Sequence, residues 1–128
     1  MIIPLLLLSI TPPIAPGPCT ATDGDTIRCG SERIRLLGID APELPGHCRP
    51  GRHCAPGDPE ASKASLARAI SLGPIVIRRI GMDRYGRTLA LVSAGGTDLS
   101  CWQLTHGQAI YRPDWDNGRS LARICPAA

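Results

Sequence analysis

Six cysteines in a chain of 128 residues that lacks phenylalanine limit what this sequence can fold into more than any other feature of it. With Tyr85, Trp102, Tyr111 and Trp115 as its four aromatics, the core has to be assembled from Ile, Leu, Val and Ala. Such a length supports one domain, of about 110 residues if a leader is removed, and a domain of that size buries only a modest core. Covalent staples compensate. An even number of cysteines in a small exported domain reads as disulfides, with many connectivities open in principle.

The start of the chain fits export. IIPLLLLSI (Ile2 to Ile10) is apolar, too short to span a bilayer, and followed by TPPIAPGP. It reads as a signal peptide over residues 1–18, although no Lys or Arg precedes Arg28; an apolar N-terminal strand or a misassigned start is the alternative. The expected location is therefore periplasmic or secreted, with residues 19–128 forming the single domain.

Turn and cap signals divide that domain. Cys19 to Cys29 reads as a hairpin turning at Asp23-Gly24. A strict two-residue turn would set Cys19 opposite Arg28, so a Cys19–Cys29 disulfide requires a three-residue loop or a bulge. Ser31 to Ile39 reads as a third strand, with Arg35 pointing away from the face of Ile34 and Leu36, and Pro42 ends it. Leu44 to Gly57 has turn chemistry without periodicity and is a surface loop. Its segment HCRPGRHC (His47 to Cys54) holds ligand types that zinc prefers, but each His adjoins its Cys and the cysteine spacing is wrong for zinc, which favours a local Cys48–Cys54 disulfide. Arg49 and Arg52 in this loop would touch a nucleic acid backbone or keep the loop soluble.

A helix follows, with Asp58 as its cap, Pro59 at its first position and Gly73 to end it. Ile75 to Ile80 and Thr88 to Ser93 are strands flanking the MDRYGR loop. Asp98 to His106 is a second short helix stopped by Gly107. The tail holds one or two helical turns around Arg119 to Ile124, and a Cys101–Cys125 disulfide would tie it to that helix. Five strands with a helix after the third are compatible with an OB-type barrel, although pattern alone gives only a small mixed domain, mainly β with short helices.

Net charge is +3, from 14 Lys and Arg against 11 Asp and Glu, too mild for a pure nucleic-acid binder. The chemistry is concentrated in three blocks: DGDT (Asp23 to Thr26), RIRLLGIDAPE (Arg33 to Glu43) and DRYGR (Asp83 to Arg87). Hydrolysing a phosphodiester takes cations for the developing charge, a base for the water, and usually a metal. Arg35 and Arg87 suit the first role and Glu43 the second, a carboxylate that a metal and two arginines would keep ionised. Asp25, Asp40 and the Ala41 carbonyl ahead of Pro42 suit the third, as oxygen donors for Ca²⁺. Each alone has an ordinary reading: a turn cap for Asp25, a strand end for Asp40, a loop charge for Glu43, and surface ion pairs worth about 0–1 kcal/mol for the arginines. Together they favour a site. Asp23 reads as a turn residue or as a partner behind the metal ligands and not as a ligand itself, and none of the three histidines offers a rival base.

In order and spacing these blocks resemble the thermonuclease, or staphylococcal nuclease-like, family over roughly residues 19–113. The resemblance implies a five-stranded OB-fold barrel of the nuclease type, here disulfide-stapled. It implies a Ca²⁺-dependent endonuclease, a hydrolase that cuts phosphodiesters of DNA and of RNA to leave 3′-phosphates. It assigns phosphate to Arg35 and Arg87, the base to Glu43, and Ca²⁺ to Asp25, Asp40 and the carbonyl of Ala41, where family members commonly carry Thr. Tyr85 and Tyr111 fall where the family places tyrosines beside the bound nucleotide, with simple packing as their other reading. The family's longer C-terminal helix is short or missing. A nucleic acid is the expected partner of a monomer with no membrane span in its mature form. Two readings compete: a non-catalytic OB-fold module that holds nucleic acid or protein, and a disulfide-stapled structural protein. The first has no need of every one of these side chains in register; the second explains none of them.

Overall fold

The computed structural model describes residues 17–126, so nearly all of the expected leader lies outside the described residues. The chain forms β1 (Cys19–Ala21), β2 (Thr26–Cys29), β3 (Glu32–Leu36), β4 (Ile39–Asp40), α1 (Pro59–Ile70), β5 (Ile75–Met82), β6 (Thr88–Ala94), β7 (Thr97–Asp98), α2 (Leu99–Thr105) and β8 (Ile110–Tyr111), followed by a 3₁₀ turn at Pro113–Trp115. The principal sheet runs β1-β2-β3-β6-β5, with β7 folded back on β6, and β4 pairs separately with β8. Among the described residues only β3–β6 is parallel, because the chain between them crosses over through α1 and β5. The domain is mainly sheet with two short helices, as expected. Among the described residues no ladder joins the end strands β1 and β5.

The hairpin has the irregularity that its disulfide requires. Cys19 faces Cys29 and Ala21 faces Ile27, while the Thr22 amide donates to the Thr26 carbonyl at 2.8 Å. That leaves Asp23-Gly24-Asp25 as a three-residue connection. The opposed cysteines, with Cα atoms 4.0 Å apart, form the Cys19–Cys29 disulfide.

The expected third strand, Ser31 to Ile39, is instead interrupted. Gly38 adopts φ 78°, a left-handed conformation that a Cβ penalises, and the turn it makes sends Ile39–Asp40 out of the main sheet to pair with β8. The simple alternation of faces is lost with it. Ile34, Leu36, Leu37 and Ile39 are all buried, and Arg35 is buried with them. Helix α1 ends at Ile70 with Ser71 as its cap, earlier than Gly73. Gly73 serves a close approach: a Cβ there would lie 2.6 Å from the Gly95 Cα.

The core is aliphatic, with Ile27, Ile34, Ile39, Leu66, Ile77 and Leu99 fully buried. Cys48 pairs with Cys54, which removes the thiolates that a zinc site would need. Cys101 pairs with Cys125 and holds the tail against α2, and Leu121 of that tail is fully buried in the core. No helix among the described residues is long and apolar enough to cross a membrane.

Candidate active site

The loop carrying Asp25 is held from beneath by buried polar groups. Gln103 on α2 donates through Nε2 to the Gly24 carbonyl (2.7 Å) and to the Ser62 carbonyl (2.9 Å), and the Ser62 hydroxyl donates to the Gln108 carbonyl (2.7 Å). Gly24 is packed so closely that a Cβ would fall 1.8 Å from Ser62 Oγ and 2.7 Å from Ala41 Cβ. The Asp25 amide donates to Asp23 Oδ1 at 3.1 Å, which closes the turn. Sequence patterning did not single out Gln103 or Ser62, since a polar residue on a helix is ordinarily read as solvent-facing.

From that loop Asp25 reaches the end of β4. Its Oδ2 accepts from the Ala41 amide (2.8 Å) and lies 3.3 Å from Arg35 Nη1, while Oδ1 accepts from the Thr26 hydroxyl (3.1 Å). Asp25 is 6% exposed and Arg35 9%, so this ion pair is largely out of water. Asp40, 1% exposed, accepts through Oδ2 from Arg112 Nη2 at 3.2 Å. Its Oδ1 has no hydrogen-bond partner among the described residues, and the cation facing it is Arg52 Nη2 at 3.8 Å. The other arm of Arg52 lies 3.2 Å from Glu43 Oε1. Asp25, Arg35, Asp40, Ala41 and Glu43 are thus brought together, with Arg52 and Arg112 added to them.

The disulfide-closed loop aims Arg52. Gly51 takes φ 82° and the Arg52 amide donates to the Arg49 carbonyl at 3.0 Å, a Pro50-Gly51 turn that reverses the chain between Cys48 and Cys54. The Pro-Gly step inside a cysteine pair was the available signal for an inward arginine. No comparable signal marked Arg112.

Arg87 approaches from β6. Asp83 organises its loop by accepting from the Tyr85 amide (2.9 Å), the Arg87 amide (3.0 Å) and Arg87 Nε (2.7 Å). Burial works against the Asp83 carboxylate, yet these hydrogen bonds and the Arg87 charge hold its pKa below the ordinary value. The parallel register pairs Ile34 with Thr88, so Arg87 comes beside β3, and it lines a cleft of about 480 Å³ with Thr22, Asp23, Thr26, Arg28 and Arg33. Among the described residues it makes no ion pair with Asp25, Asp40 or Glu43. Tyr85 is exposed, with the guanidinium carbons of Arg49, Arg84 and Arg87 5.1–5.5 Å from its ring centre. Tyr111 is tied to the tail, its hydroxyl donating to Asp116 Oδ2 at 2.7 Å. Trp115 stands 5.3 Å from both Arg35 and Arg112.

This arrangement suits charged chemistry. Burial pushes the Glu43 pKa up, Arg52 pulls it back, and the charges of Asp25 and Asp40 raise it further, which leaves Glu43 a better proton acceptor than a free carboxylate. Burial and the neighbouring Asp25 raise Asp23 to about 7. Asp40 Oδ1, buried and without a hydrogen bond, and the buried Asp25 carboxylate are oxygen donors of the kind that could hold a hard divalent cation such as Ca²⁺, although Arg52 and Arg112 face Asp40.

Comparison with known proteins matches residues 33–124 to the family described as staphylococcal nuclease homologue. The chain is also 34% identical over 103 residues to the succinoglycan biosynthesis protein ExoI of Rhizobium meliloti (strain 1021), a match covering 79% of this chain and 53% of that protein. The chain thus spans about half the length of that curated relative.

Proposed function

Since this chain belongs to the staphylococcal nuclease homologue family, we propose that it is a Ca²⁺-dependent nuclease that hydrolyses phosphodiesters of DNA and RNA and leaves 3′-phosphates. One observation carries the reading. Asp25 from the hairpin loop, Arg35 from β3, Asp40 from β4 and Glu43 just beyond it gather in one region although they come from separate elements, as two neighbouring sets of ion pairs, Arg35–Asp25 and Asp40–Arg52–Glu43, joined where the Ala41 amide donates to Asp25. A binding module or a structural protein has no need to gather all four of these side chains, since burying charges costs desolvation free energy even when they are paired.

In this mechanism Asp25, Asp40 and the Ala41 carbonyl would hold Ca²⁺, which when bound supplies Lewis-acid polarisation of the phosphoryl oxygen. Glu43 accepts a proton from the attacking water. Arg35, fixed by Asp25, and Arg87, fixed by Asp83, bind the phosphate and stabilise the charge that grows on its oxygens as the P–O5′ bond breaks. The 5′-oxygen leaves as a hydroxyl, having taken up a proton. Tyr85 would lie beside the nucleotide, with Tyr111 shaping the same wall. The three disulfides point to an oxidising compartment, which makes the periplasm or the exterior the place of action.

The second reading is a non-catalytic role. Arg52 supports it by pairing with both Asp40 and Glu43, the groups assigned to metal and base, and the relative is named for succinoglycan biosynthesis and not for nuclease activity. Purified protein incubated with single- and double-stranded DNA and RNA decides between them. The nuclease reading expects cleavage with Ca²⁺, little with Mg²⁺, which demands near-ideal octahedral geometry, and none in excess chelator, with 3′-phosphates on the products. Binding without cleavage under all these conditions would establish the module instead.

A further inference from the structure

Arg28 and Arg33 are direct partners across the β2–β3 ladder, and both are exposed. Like charges set opposite each other on antiparallel strands destabilise the sheet. Nothing relieves this pair: among the described residues Arg28 makes no ion pair, and the recorded bond of Arg33 runs from Nη2 to the neutral Tyr85 carbonyl at 2.6 Å. The adjacent position shows the contrast. Glu32, opposite Cys29, holds Arg79 at 2.6 and 2.9 Å and also accepts from the Thr88 hydroxyl. The sheet thus provides an acid for Arg79 and none for Arg28 or Arg33.

Both arginines line the same 480 Å³ cleft as Arg87. The Arg33 bond to Tyr85 fixes one wall of the cleft to the DRYGR loop. The one carboxylate in the lining, Asp23, has Oδ1 taken by the Asp25 amide. Asp83 already pairs with Arg87, so the guanidinium groups left without a counter-charge are those of Arg28 and Arg33; an anion would balance them, and arginine's planar fork suits the two oxygens of a phosphodiester.

We infer that Arg28 and Arg33 form a phosphate subsite for the nucleotide adjacent to the scissile one, through which a single polynucleotide strand runs from Arg87 across the outer face of β2 and β3. The inference rests on the nuclease reading and adds to it where the strand lies beyond the cleaved bond. The contacts are to phosphate alone, so the subsite contributes salt-dependent affinity without sequence preference.

The test compares wild type with Arg28→Gln in the full chain, which leaves in place the Arg33 bond to the Tyr85 carbonyl and with it the loop that carries Arg87. Binding of a fluorescein-labelled oligothymidylate is titrated over a range of salt in chelator, so that the strand stays intact. Turnover of bis(4-nitrophenyl) phosphate, which has one phosphodiester and no neighbouring phosphate, is measured with Ca²⁺. The subsite predicts binding weakened about tenfold at low salt and a log Kd against log salt slope shallower by about 0.7, the release expected for one single-strand phosphate. It also predicts unchanged turnover of the small substrate and a thermal midpoint at low salt that is equal or higher, since the repulsion has been removed. An unchanged Kd and slope in a wild type that still cuts DNA overturns the subsite and leaves the nuclease reading standing. Equal losses on both substrates overturn it too, as they assign Arg28 to the fold or the chemistry. A wild type that neither binds nor cuts overturns both.

Discussion

Arg52 sits where a metal and a base are assigned, with its guanidinium shared between Asp40 and Glu43. A guanidinium and a divalent cation attracted to the same carboxylates repel each other strongly at a few ångströms in a partly buried site. Arg52→Ala should therefore tighten Ca²⁺ binding about tenfold by calorimetry, about 1.4 kcal/mol; an equal or weaker affinity would show that Arg52 does not compete with the metal. Arg35 differs from an ordinary surface arginine because it is buried against Asp25. Arg35→Ala should abolish most turnover and also cost roughly 3–5 kcal/mol of stability, the penalty of leaving a buried carboxylate unpaired. Arg87→Ala and Glu43→Ala, at less buried positions, should lose comparable turnover with the denaturation midpoint little changed. If the double variant of Arg35 and Arg87 cuts DNA at the wild-type rate, the phosphate assignment fails. Asp83 acts through Arg87. Its folded pKa lies below the ordinary 3.8, so its contribution to stability is complete above that value and is lost as pH falls through the folded one. Asp83→Asn should lower turnover about tenfold by releasing Arg87 from its aim, and it should lose less stability than wild type when urea midpoints at pH 7 and pH 3 are compared.

Among the elements, the hairpin loop is the one on which the site depends. Its three residues place Asp25 by packing Gly24 against Ser62 and Ala41 and by hanging the Gly24 carbonyl on Gln103. Gly24→Ala should cost about 1–3 kcal/mol through overpacking and lower Ca²⁺ affinity along with activity, since the added Cβ pushes the loop off α1. A stable variant with wild-type affinity would mean that the loop yields without moving Asp25. This loop also shows what the sequence made legible. The Cys19–Cys29 spacing required an irregular turn, and the Asp58-Pro59 pair marked the start of α1, because turns and caps are local and leave their residue types behind. Long-range compensation leaves no such trace. Gln103 donates to a carbonyl 79 positions earlier, and Arg112 meets Asp40 72 positions away, so both read locally as ordinary surface residues. Gly38 was misread for another reason. An apolar run on both sides of a glycine resembles one continuous strand, and only the pairing of β4 with β8 shows why the chain turns there. Of the site, the three motif blocks were visible in the sequence; the arginines that surround Asp40 were not.

For the whole molecule, the disulfides take over work that a larger core would do. The apolar core is built from aliphatic side chains and cysteines, and the tail from Arg112 to Cys125 contains only a 3₁₀ turn, isolated turns and one fully buried apolar residue, Leu121. Two anchors hold that tail. Asp116 accepts from the Leu121 and Ala122 amides at 2.9 and 3.1 Å and from the Tyr111 hydroxyl, and the Cys101–Cys125 disulfide fastens the far end to α2. The disulfide spans 24 positions, and closing a loop of that size in the unfolded chain removes entropy worth about 3 kcal/mol. The same tail carries Arg112 to Asp40 and Trp115 to Arg35, so loosening it reaches the site. Cys101→Ser/Cys125→Ser should therefore lose about 3 kcal/mol in chemical denaturation and also lower activity at temperatures where the domain remains folded. Opening Cys48–Cys54 in the same way should instead free Arg52 and cost less stability, about 2 kcal/mol, because that loop is shorter. Thiol labelling of protein from its native host supplies the control. It should find none or nearly none of the six cysteines free, whereas six reactive thiols would mean that the protein works without these bridges and that the tail is held by Asp116 and Leu121 alone.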